Sequence, residues 1–190
     1  VEKWGNWVTE QLRKDPIIQK LYDPDVAVYI GSWEIKCPHC GKWTPLIGNW
    51  WLARVSKEVN GRKEFIRLAW MQPKIEDDTI FITVNELNGS SKVNKLSNIK
   101  VDTKRGIISL SSGKLVNVPK PNIDSRKEVA ICLHCNNAIR CIDIKTGKHY
   151  SSVPKRSKYS GRRLIWYVKY ALKKYNEGDD SLCRQILLVK

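Results

Sequence analysis

Two Cys-x-x-Cys pairs constrain the fold of this chain more than any other feature. Four of its six cysteines form the pairs Cys37/Cys40 and Cys132/Cys135. Each pair follows a predicted strand and leads into an extended segment, and two thiolates two residues apart on such a turn reach one tetrahedral zinc at about 2.3 Å. We predict one zinc ion held by all four. Because the thiolates fill every position, its role is structural.

Other uses of the cysteines fit the sequence less well. A disulfide framework needs an oxidising compartment, and the chain has neither a signal sequence nor the form of a small cysteine-dense domain. A thioredoxin-type redox centre needs one motif between a strand and a helix, whereas this chain has two motifs of similar form. We expect Cys141 and Cys183 to act as small buried hydrophobes, with Cys141 replacing a ligand only if the second turn is irregular. The rings of His39 and His134 are expected to point outward, where they are able to contact a partner.

The long span between the pairs indicates an inserted β subdomain. Between Arg62 and Val118 the apolar periodicity is mostly that of strands, and segment 85–98 is predicted to be a mobile loop because it has little apolar content. Residues 128–131 and 138–144 are predicted strands around the second pair. The chain end, 179–190, is compatible with a short helix or a strand.

Helical spacing occurs towards both ends of the chain. Trp4, Val8 and Leu12 recur at intervals of four, a second short helix is expected after Pro16, and residues 162–176 have helical periodicity. The predicted class is α+β: a zinc ribbon with an inserted small β subdomain, flanked by N-terminal and C-terminal helices. We divide the chain into a helical segment (1–25), the ribbon with its β insertion between the knuckles (26–148), and a basic loop with the C-terminal helix (149–190).

The charge of the chain favours a polyanionic partner. It has 34 Lys and Arg against 19 Asp and Glu, a formal net charge of +15, and the span from Lys145 to Tyr175 contains basic residues but no acidic one. Basic side chains that neutralise phosphates release counterions and gain salt-dependent affinity. A lysine-rich solubilising surface is the alternative. The residues predicted to contact DNA are Lys155, Arg156, Lys158, Tyr159, Arg162, Arg163, Lys169 and Lys173.

Three tryptophans are candidates for an interface. Trp50 and Trp51 are adjacent, so they cannot both face one core from a helix or a strand, and one is expected to be exposed or at an interface. The functional interpretation is that the exposed tryptophan stacks on nucleic-acid bases or packs on a partner domain. The alternative is that one tryptophan fills the core and the other covers its edge. Trp4, on the first helix, is the third candidate.

Several of these features occur together in a known family. The chain resembles the zinc-ribbon-containing adenine-specific DNA methylases in Val1–Val8 (VEKWGNWV), Cys37–Gly41 (CPHCG), Pro45–Leu46, Trp51–Arg54 (WLAR) and the later pair at Cys132 and Cys135. The resemblance covers roughly residues 1–145. It implies that the helix and ribbon interrupt a Rossmann-like methyltransferase domain that uses S-adenosylmethionine.

The chain departs from that family in two places. Its second turn is Cys-Leu-His-Cys-Asn where the family has Cys-Pro-x-Cys-Gly, so we expect less amide support for those sulfurs. Neither the cofactor-binding glycine loop nor the catalytic Asp/Asn-Pro-Pro-aromatic segment lies in these 190 residues. The chain begins with Val1 and its only methionine is Met71, so we expect it to be a piece of a longer protein.

We therefore expect a zinc-stabilised module that binds DNA for a methylase and is not catalytic by itself, with S-adenosylmethionine bound only by the parent protein. The alternative is a docking module that assembles with the methyltransferase catalytic domain. An enzyme in its own right needs a cofactor motif that the chain lacks. No stretch approaches 18 uncharged apolar residues, so no membrane association is expected, and a cytoplasmic location is predicted.

Overall fold

The computed structural model describes residues 2–21, 29–88, 99–124, 129–152 and 164–189. The fold mixes short helices with antiparallel strands, which is the predicted α+β class. The helices are α1 Glu2–Lys14, α2 Pro16–Leu21 and α3 Tyr167–Asn176. The strands are β1 Ile30–Lys36, β2 Trp43–Pro45, β3 Trp51–Val59, β4 Arg62–Glu76, β5 Thr79–Asn88, β6 Lys100–Asp102, β7 Ile107–Ser109, β8 Leu115–Asn117, β9 Ile123–Asp124, β10 Val129–Ile131, β11 Ala138–Ile139, β12 Cys141–Asp143, β13 His149–Tyr150, β14 Leu164–Trp166 and β15 Cys183–Val189.

The chain divides into two compact units, residues 1–31 with 187–190 and residues 32–186. In the first unit, α1 carries no buried residue, and Trp4 on its apolar face is 71% exposed. Helix α2 begins where the sequence predicts it, because the N–H of Ile17 donates to Asp15 Oδ1 at 2.8 Å and so satisfies one free donor of the first turn.

The core of the second unit surrounds the cysteine pairs. One sheet, in the order β15-β1-β2, supplies the strands on either side of the first pair, and another, β11-β10-β9, supplies those of the second. Helix α3 packs Tyr167, Val168 and Ala171 into the core that also contains Cys37 and Cys132. Residues of both the 26–148 and the 149–190 segments thus contribute to one core, while the three-segment division stays a prediction.

The insertion between the pairs consists mainly of two antiparallel sheets, β3-β4-β5 and β6-β7-β8. Strand β4 is the central strand of the first, pairing with β3 through its first half and with β5 along most of its length. In the second, Gly106 has φ +70°, and an added Cβ would lie 2.6 Å from the carbonyl oxygen of Val118. Only glycine fits this close approach.

The structure corrects two boundaries. Residues 85–88, predicted as part of a loop, complete β5 by pairing with Arg67–Trp70 of β4, and the rest of that loop, 89–98, lies outside the described residues. The predicted helix over 162–176 begins only at Tyr167, because Leu164–Trp166 pair with Cys141–Asp143 instead. The undecided chain end forms β15. The strand predicted before the first cysteine pair is β1.

Candidate metal centre

The four predicted cysteines lie together, and the two cross-knuckle distances between their sulfurs match the edges of a tetrahedral site. All four Sγ atoms are within 4.8 Å of one another. The Sγ of Cys37 lies 3.8 Å from that of Cys135, and the Sγ of Cys40 lies 3.7 Å from that of Cys132. A metal–sulfur bond of about 2.3 Å gives tetrahedron edges of about 3.8 Å. A disulfide needs about 2.05 Å, and all six cysteines are free thiols. The cluster therefore fits a metal ion.

The two knuckles, residues 37–42 and 132–137, have the same backbone. In the first, the N–H of Cys37 donates to Lys42 O at 2.8 Å and the N–H of Gly41 donates to Cys37 O at 2.8 Å. In the second, the N–H of Cys132 donates to Asn137 O at 3.0 Å and the N–H of Asn136 donates to Cys132 O at 2.9 Å.

A left-handed residue closes each knuckle. Gly41 has φ +71° and Asn136 has φ +58°. Asparagine tolerates this region better than other residues with a side chain, so it replaces the glycine without changing the turn. The expectation of weaker amide support in the second knuckle is therefore wrong.

Backbone amides point at the sulfurs in both knuckles. Burial raises the pKa of the Cys37 thiol, while hydrogen bonds from the amides of Cys40 and His39 oppose this. Burial likewise raises the pKa of Cys132, opposed by the amides of Cys135 and His134. Amides that donate to sulfur favour the thiolate, which is the form that binds a metal.

Cys135 lies nearer the surface than its neighbours. Burial raises its pKa, but the amide of Asn137 and contacts with the other thiols outweigh burial and bring the pKa to about 7. Sulfurs buried against apolar side chains and supplied with amide donors, as in these knuckles, are a ligand set that suits zinc or another soft metal ion.

The two knuckle histidines lie outside the four-sulfur cluster, and each contacts the other knuckle. His39 is exposed, as predicted, whereas His134 is half-buried. His39 Nε2 lies 3.4 Å from the carbonyl oxygen of Ala138, and His134 Nε2 lies 3.1 Å from that of Trp43. The two histidines have equivalent positions, each two residues after the first cysteine of its pair. The two acceptor residues are equivalent as well, because each follows the second cysteine of the other pair by three residues. The two contacts are related by an approximate two-fold symmetry, and contact of either ring with a partner stays a prediction.

Two buried polar residues that the sequence analysis missed also join the halves of the site. The hydroxyl of Thr44, fully buried, accepts a hydrogen bond from the N–H of Leu133 at 3.0 Å. Asn122, only 4% exposed, accepts from the N–H of Ile47 at 2.7 Å and donates through Nδ2 to Pro45 O at 2.6 Å. A threonine in a strand and an asparagine in a loop give no sequence signal of this role.

The β4–β5 turn lies beside the first knuckle. Lys42, directly after Gly41, forms an ion pair with Asp78 with Nζ 2.6 Å from Oδ1. Lys42 lowers the pKa of Asp78, and Asp78 raises that of Lys42. Both groups are exposed to solvent, so the pair orients the hairpin more than it stabilises the fold.

A histidine and a tyrosine lie close to His39. The rings of His149 and His39 are 4.5 Å apart, and those of His149 and Tyr167 are 5.6 Å apart, both edge to face. The Tyr167 hydroxyl donates to Lys36 O at 2.9 Å. Burial, with the nearby charge of His39, lowers the pKa of His149 to about 4. His149 is therefore neutral at physiological pH.

The two remaining cysteines are buried, as predicted. Cys141 and Cys183 are 4% and 0% exposed, and Cys183 lies in the central core. Burial raises the pKa of both thiols, that of Cys183 to about 11. They are neutral packing residues outside the four-sulfur cluster.

The predicted DNA contacts lie mostly outside the described residues. Lys155, Arg156, Lys158, Tyr159, Arg162 and Arg163 belong to the segment 153–163, for which no structure is described. Lys169 and Lys173 are exposed on α3, and Lys173 Nζ lies 3.7 Å from Glu177 Oε1.

The tryptophan candidates have three different environments. Trp50 is 1% exposed and donates through Nε1 to Lys120 O at 2.8 Å, so the prediction that it forms an interface is corrected: it packs inside this chain. Trp51 is partly exposed, with its ring 6.4 Å from Trp70. Trp4 is mostly exposed, and its place at an interface stays a prediction.

No family model, no curated protein and no solved structure matches this chain. None of the helices in the described ranges has the length and apolar content needed to cross a membrane.

Proposed function

We propose that Cys37, Cys40, Cys132 and Cys135 bind one structural zinc ion, and that the chain is a zinc-ribbon module that binds DNA for an S-adenosylmethionine-dependent adenine-specific DNA methylase. The observation that carries the zinc site is the spacing of the sulfurs, 3.7 and 3.8 Å for the two cross-knuckle pairs. These are tetrahedron edges for zinc–thiolate bonds.

A structural role fits the position of the site. The cysteines belong to the core that holds α3 against the knuckle strands, so the ion joins segments about ninety residues apart in sequence. Zinc bound by four thiolates has no open position for substrate. In model peptides such binding supplies on the order of 10 kcal/mol of folding free energy, so the module is expected to need the metal for its fold.

Metal content and chelation test the zinc site. The purified chain should contain one zinc per molecule by elemental mass spectrometry, and a strong chelator should unfold it. Cys40→Ser should lower the zinc content, because it removes one of the four thiolates, whereas Cys183→Ser serves as the matched control and should keep the zinc. The proposal would be contradicted if the chain stayed fully folded after the metal was removed, or if the two variants had equal zinc content.

The proposal of DNA binding is supported by charge and by the family resemblance. Ten basic residues and no acidic one lie between Lys145 and Tyr175. Of these, Lys169 and Lys173 are exposed on α3, next to the core that the metal organises. The family resemblance, carried by the VEKWG segment and the first knuckle, implies a module of a methylase that supplies the catalytic domain and its cofactor.

DNA affinity measured across a range of salt concentrations tests this part separately. Neutralising Arg162 and Arg163 should weaken binding and flatten the plot of log affinity against log salt, because fewer counterions are released. The matched control is Lys100→Ala with Lys114→Ala, which removes the same charge from the exposed β6–β8 sheet. Zinc-loaded protein whose DNA binding is indifferent to salt and to both arginines would overturn DNA binding and leave the zinc site standing.

A specific observation favours a second candidate, a docking module for the catalytic domain. The apolar face of α1 is exposed, with Trp4 at 71%, Trp7 at 54% and Leu12 at 50%. Such a face is typical of a surface that packs on a partner. Tight association with the catalytic fragment at high salt, lost in Trp4→Ala and retained in Lys3→Ala on the same helix, would favour docking over DNA binding.

A further inference from the structure

The four cysteines of the metal centre differ in their access to solvent. Cys37 and Cys132 are 1% and 0% exposed, whereas Cys40 and Cys135 are half-buried. Each knuckle therefore has a buried first cysteine and a partly accessible second cysteine. A small reagent dissolved in water reaches the second cysteine of each pair before it reaches the first.

The sulfur contacts between the knuckles each join an accessible cysteine to a buried one. Cys135 Sγ lies 3.8 Å from Cys37 Sγ, and Cys40 Sγ lies 3.7 Å from Cys132 Sγ. A disulfide is about 2.05 Å long, so each pair closes by a movement of about 1.7 Å. An accessible thiolate beside a second, resolving cysteine is the arrangement of redox-sensor sites.

Contacts that do not involve sulfur hold the two knuckles against each other. The N–H of Leu133 donates to Thr44 Oγ1 at 3.0 Å. Asn122 Nδ2 donates to Pro45 O at 2.6 Å and to Ile131 O at 3.1 Å, and these carbonyls flank the first and second knuckles. The opposed sulfurs therefore stay within reach of one another while a bond forms between them.

A disulfide across the knuckles has a different consequence from one inside a knuckle. Inside a knuckle it joins residues three apart and leaves the two halves without a covalent link. Across the knuckles it joins residues more than ninety apart in sequence. Only the second kind takes over the connection that the metal makes.

We propose that hydrogen peroxide oxidises this centre to two cross-knuckle disulfides, Cys37–Cys135 and Cys40–Cys132, which release the metal while the knuckles stay joined. In each pair the accessible thiolate attacks the O–O bond, becomes a sulfenic acid and expels hydroxide. The buried thiolate then attacks the sulfenic sulfur, the S–S bond forms, and a second hydroxide leaves. Each disulfide thus passes two electrons to one peroxide. This inference rests on the proposed metal site and is independent of DNA binding.

Peroxide treatment of the metal-loaded chain tests the proposal. About two equivalents should release the bound metal to a chromogenic chelator, because each disulfide consumes one peroxide. Digestion without reductant should then yield the two knuckle peptides cross-linked to each other. Partial reduction and alkylation should assign Cys37 to Cys135 and Cys40 to Cys132. Before oxidation, brief alkylation should label Cys40 and Cys135 ahead of the two buried cysteines.

The fold provides a second readout, which distinguishes oxidation from simple loss of metal. A chelator alone should unfold the reduced chain. The peroxide-treated chain should keep its circular dichroism spectrum in the same chelator and lose it when a reductant is added. Cys141→Ala is the control, because it removes a buried cysteine outside the cluster, and it should release metal at the wild-type rate.

The outcomes separate this inference from the metal site on which it rests. A purified chain that holds no metal would overturn the metal site and the inference together. A metal-loaded chain would overturn the inference alone if peroxide left its metal bound, or if the disulfides formed inside each knuckle or between two chains.

Discussion

His134 Nε2 lies 3.1 Å from the backbone carbonyl oxygen of Trp43, and this contact ties the second knuckle to the strand that leaves the first. The ring nitrogen carries the proton, because a carbonyl oxygen only accepts. His39 and Ala138 make the reciprocal contact at 3.4 Å. Neither histidine is a member of the four-sulfur cluster, and the two contacts link the knuckles that carry the sulfurs.

Loss of this contact should speed metal release. We expect His134→Ala to lower metal affinity about tenfold, in line with other outer-shell partners of metal ligands. The rate of metal transfer to a chromogenic chelator is the measurement. Leu133→Ala, in the same turn, keeps its backbone bond to Thr44 and is the control. Equal release rates for the two variants would show that the histidine does not hold the knuckles.

Asn122 should be among the most destabilising positions to change. Asn122→Ala leaves the N–H of Ile47 and the carbonyl oxygen of Pro45 buried without their partner, and we expect a loss of about 3 kcal/mol in the free energy of unfolding. Asn117→Ala, at an exposed position of β8, should change it by less than about 0.5 kcal/mol. Urea denaturation of the metal-loaded chain measures both, and similar midpoints would contradict the bridging role of Asn122.

Alanine substitutions at two glycines should distinguish the cost of backbone strain from the cost of a steric clash. Gly106 and Gly113 have φ +70° and +81°, but an added Cβ at Gly106 meets Val118 O at 2.6 Å, whereas at Gly113 nothing lies within 4 Å. Gly113→Ala should cost about 1 kcal/mol from the left-handed backbone alone, and Gly106→Ala clearly more. Thermal unfolding provides the comparison. An equal loss at the two sites would mean that the carbonyl of Val118 moves aside without cost.

Stability should depend on pH through His149. Its pKa falls from 6.5 in the unfolded chain to about 4 in the fold, chiefly because it is buried, with the charge of His39 adding to the effect. Below pH 6.5 the unfolded state binds the proton first. The contribution of the neutral imidazole is therefore complete above pH 6.5 and lost progressively as the pH falls towards 4.

The His149→Phe variant isolates this dependence. Between neutral pH and about pH 5 the wild type should lose about 1 kcal/mol more than the variant, a value reduced for the partial exposure of the ring. Acid weakens metal binding in both proteins, so the difference between their unfolding curves, and not either curve alone, reports His149. Parallel pH profiles would rule out this linkage.

Much of the local structure was predictable. The strand periodicity between Arg62 and Val118 predicted strands that the structure contains, and Pro16 predicted the start of α2, because these patterns reflect contacts between near neighbours. The segment 162–176 was harder. Its first described residues pair with β12, a partner more than twenty residues away, and helical periodicity alone does not reveal that competition.

The sequence by itself indicated which four cysteines cluster. Two cysteines separated by two residues can turn their sulfurs towards one point, and two such pairs supply the four thiolates of a tetrahedral site. Only the tertiary structure decided how the pairs meet: Asn136 adopts the left-handed conformation of Gly41, Thr44 and Asn122 join the two halves, and Trp50 turns inward. The roles of Thr44, Asn122 and Trp50 depend on partners some seventy to ninety residues away. Residue spacing encodes local geometry, whereas long-range pairing is fixed only when the core closes and every buried donor finds its acceptor.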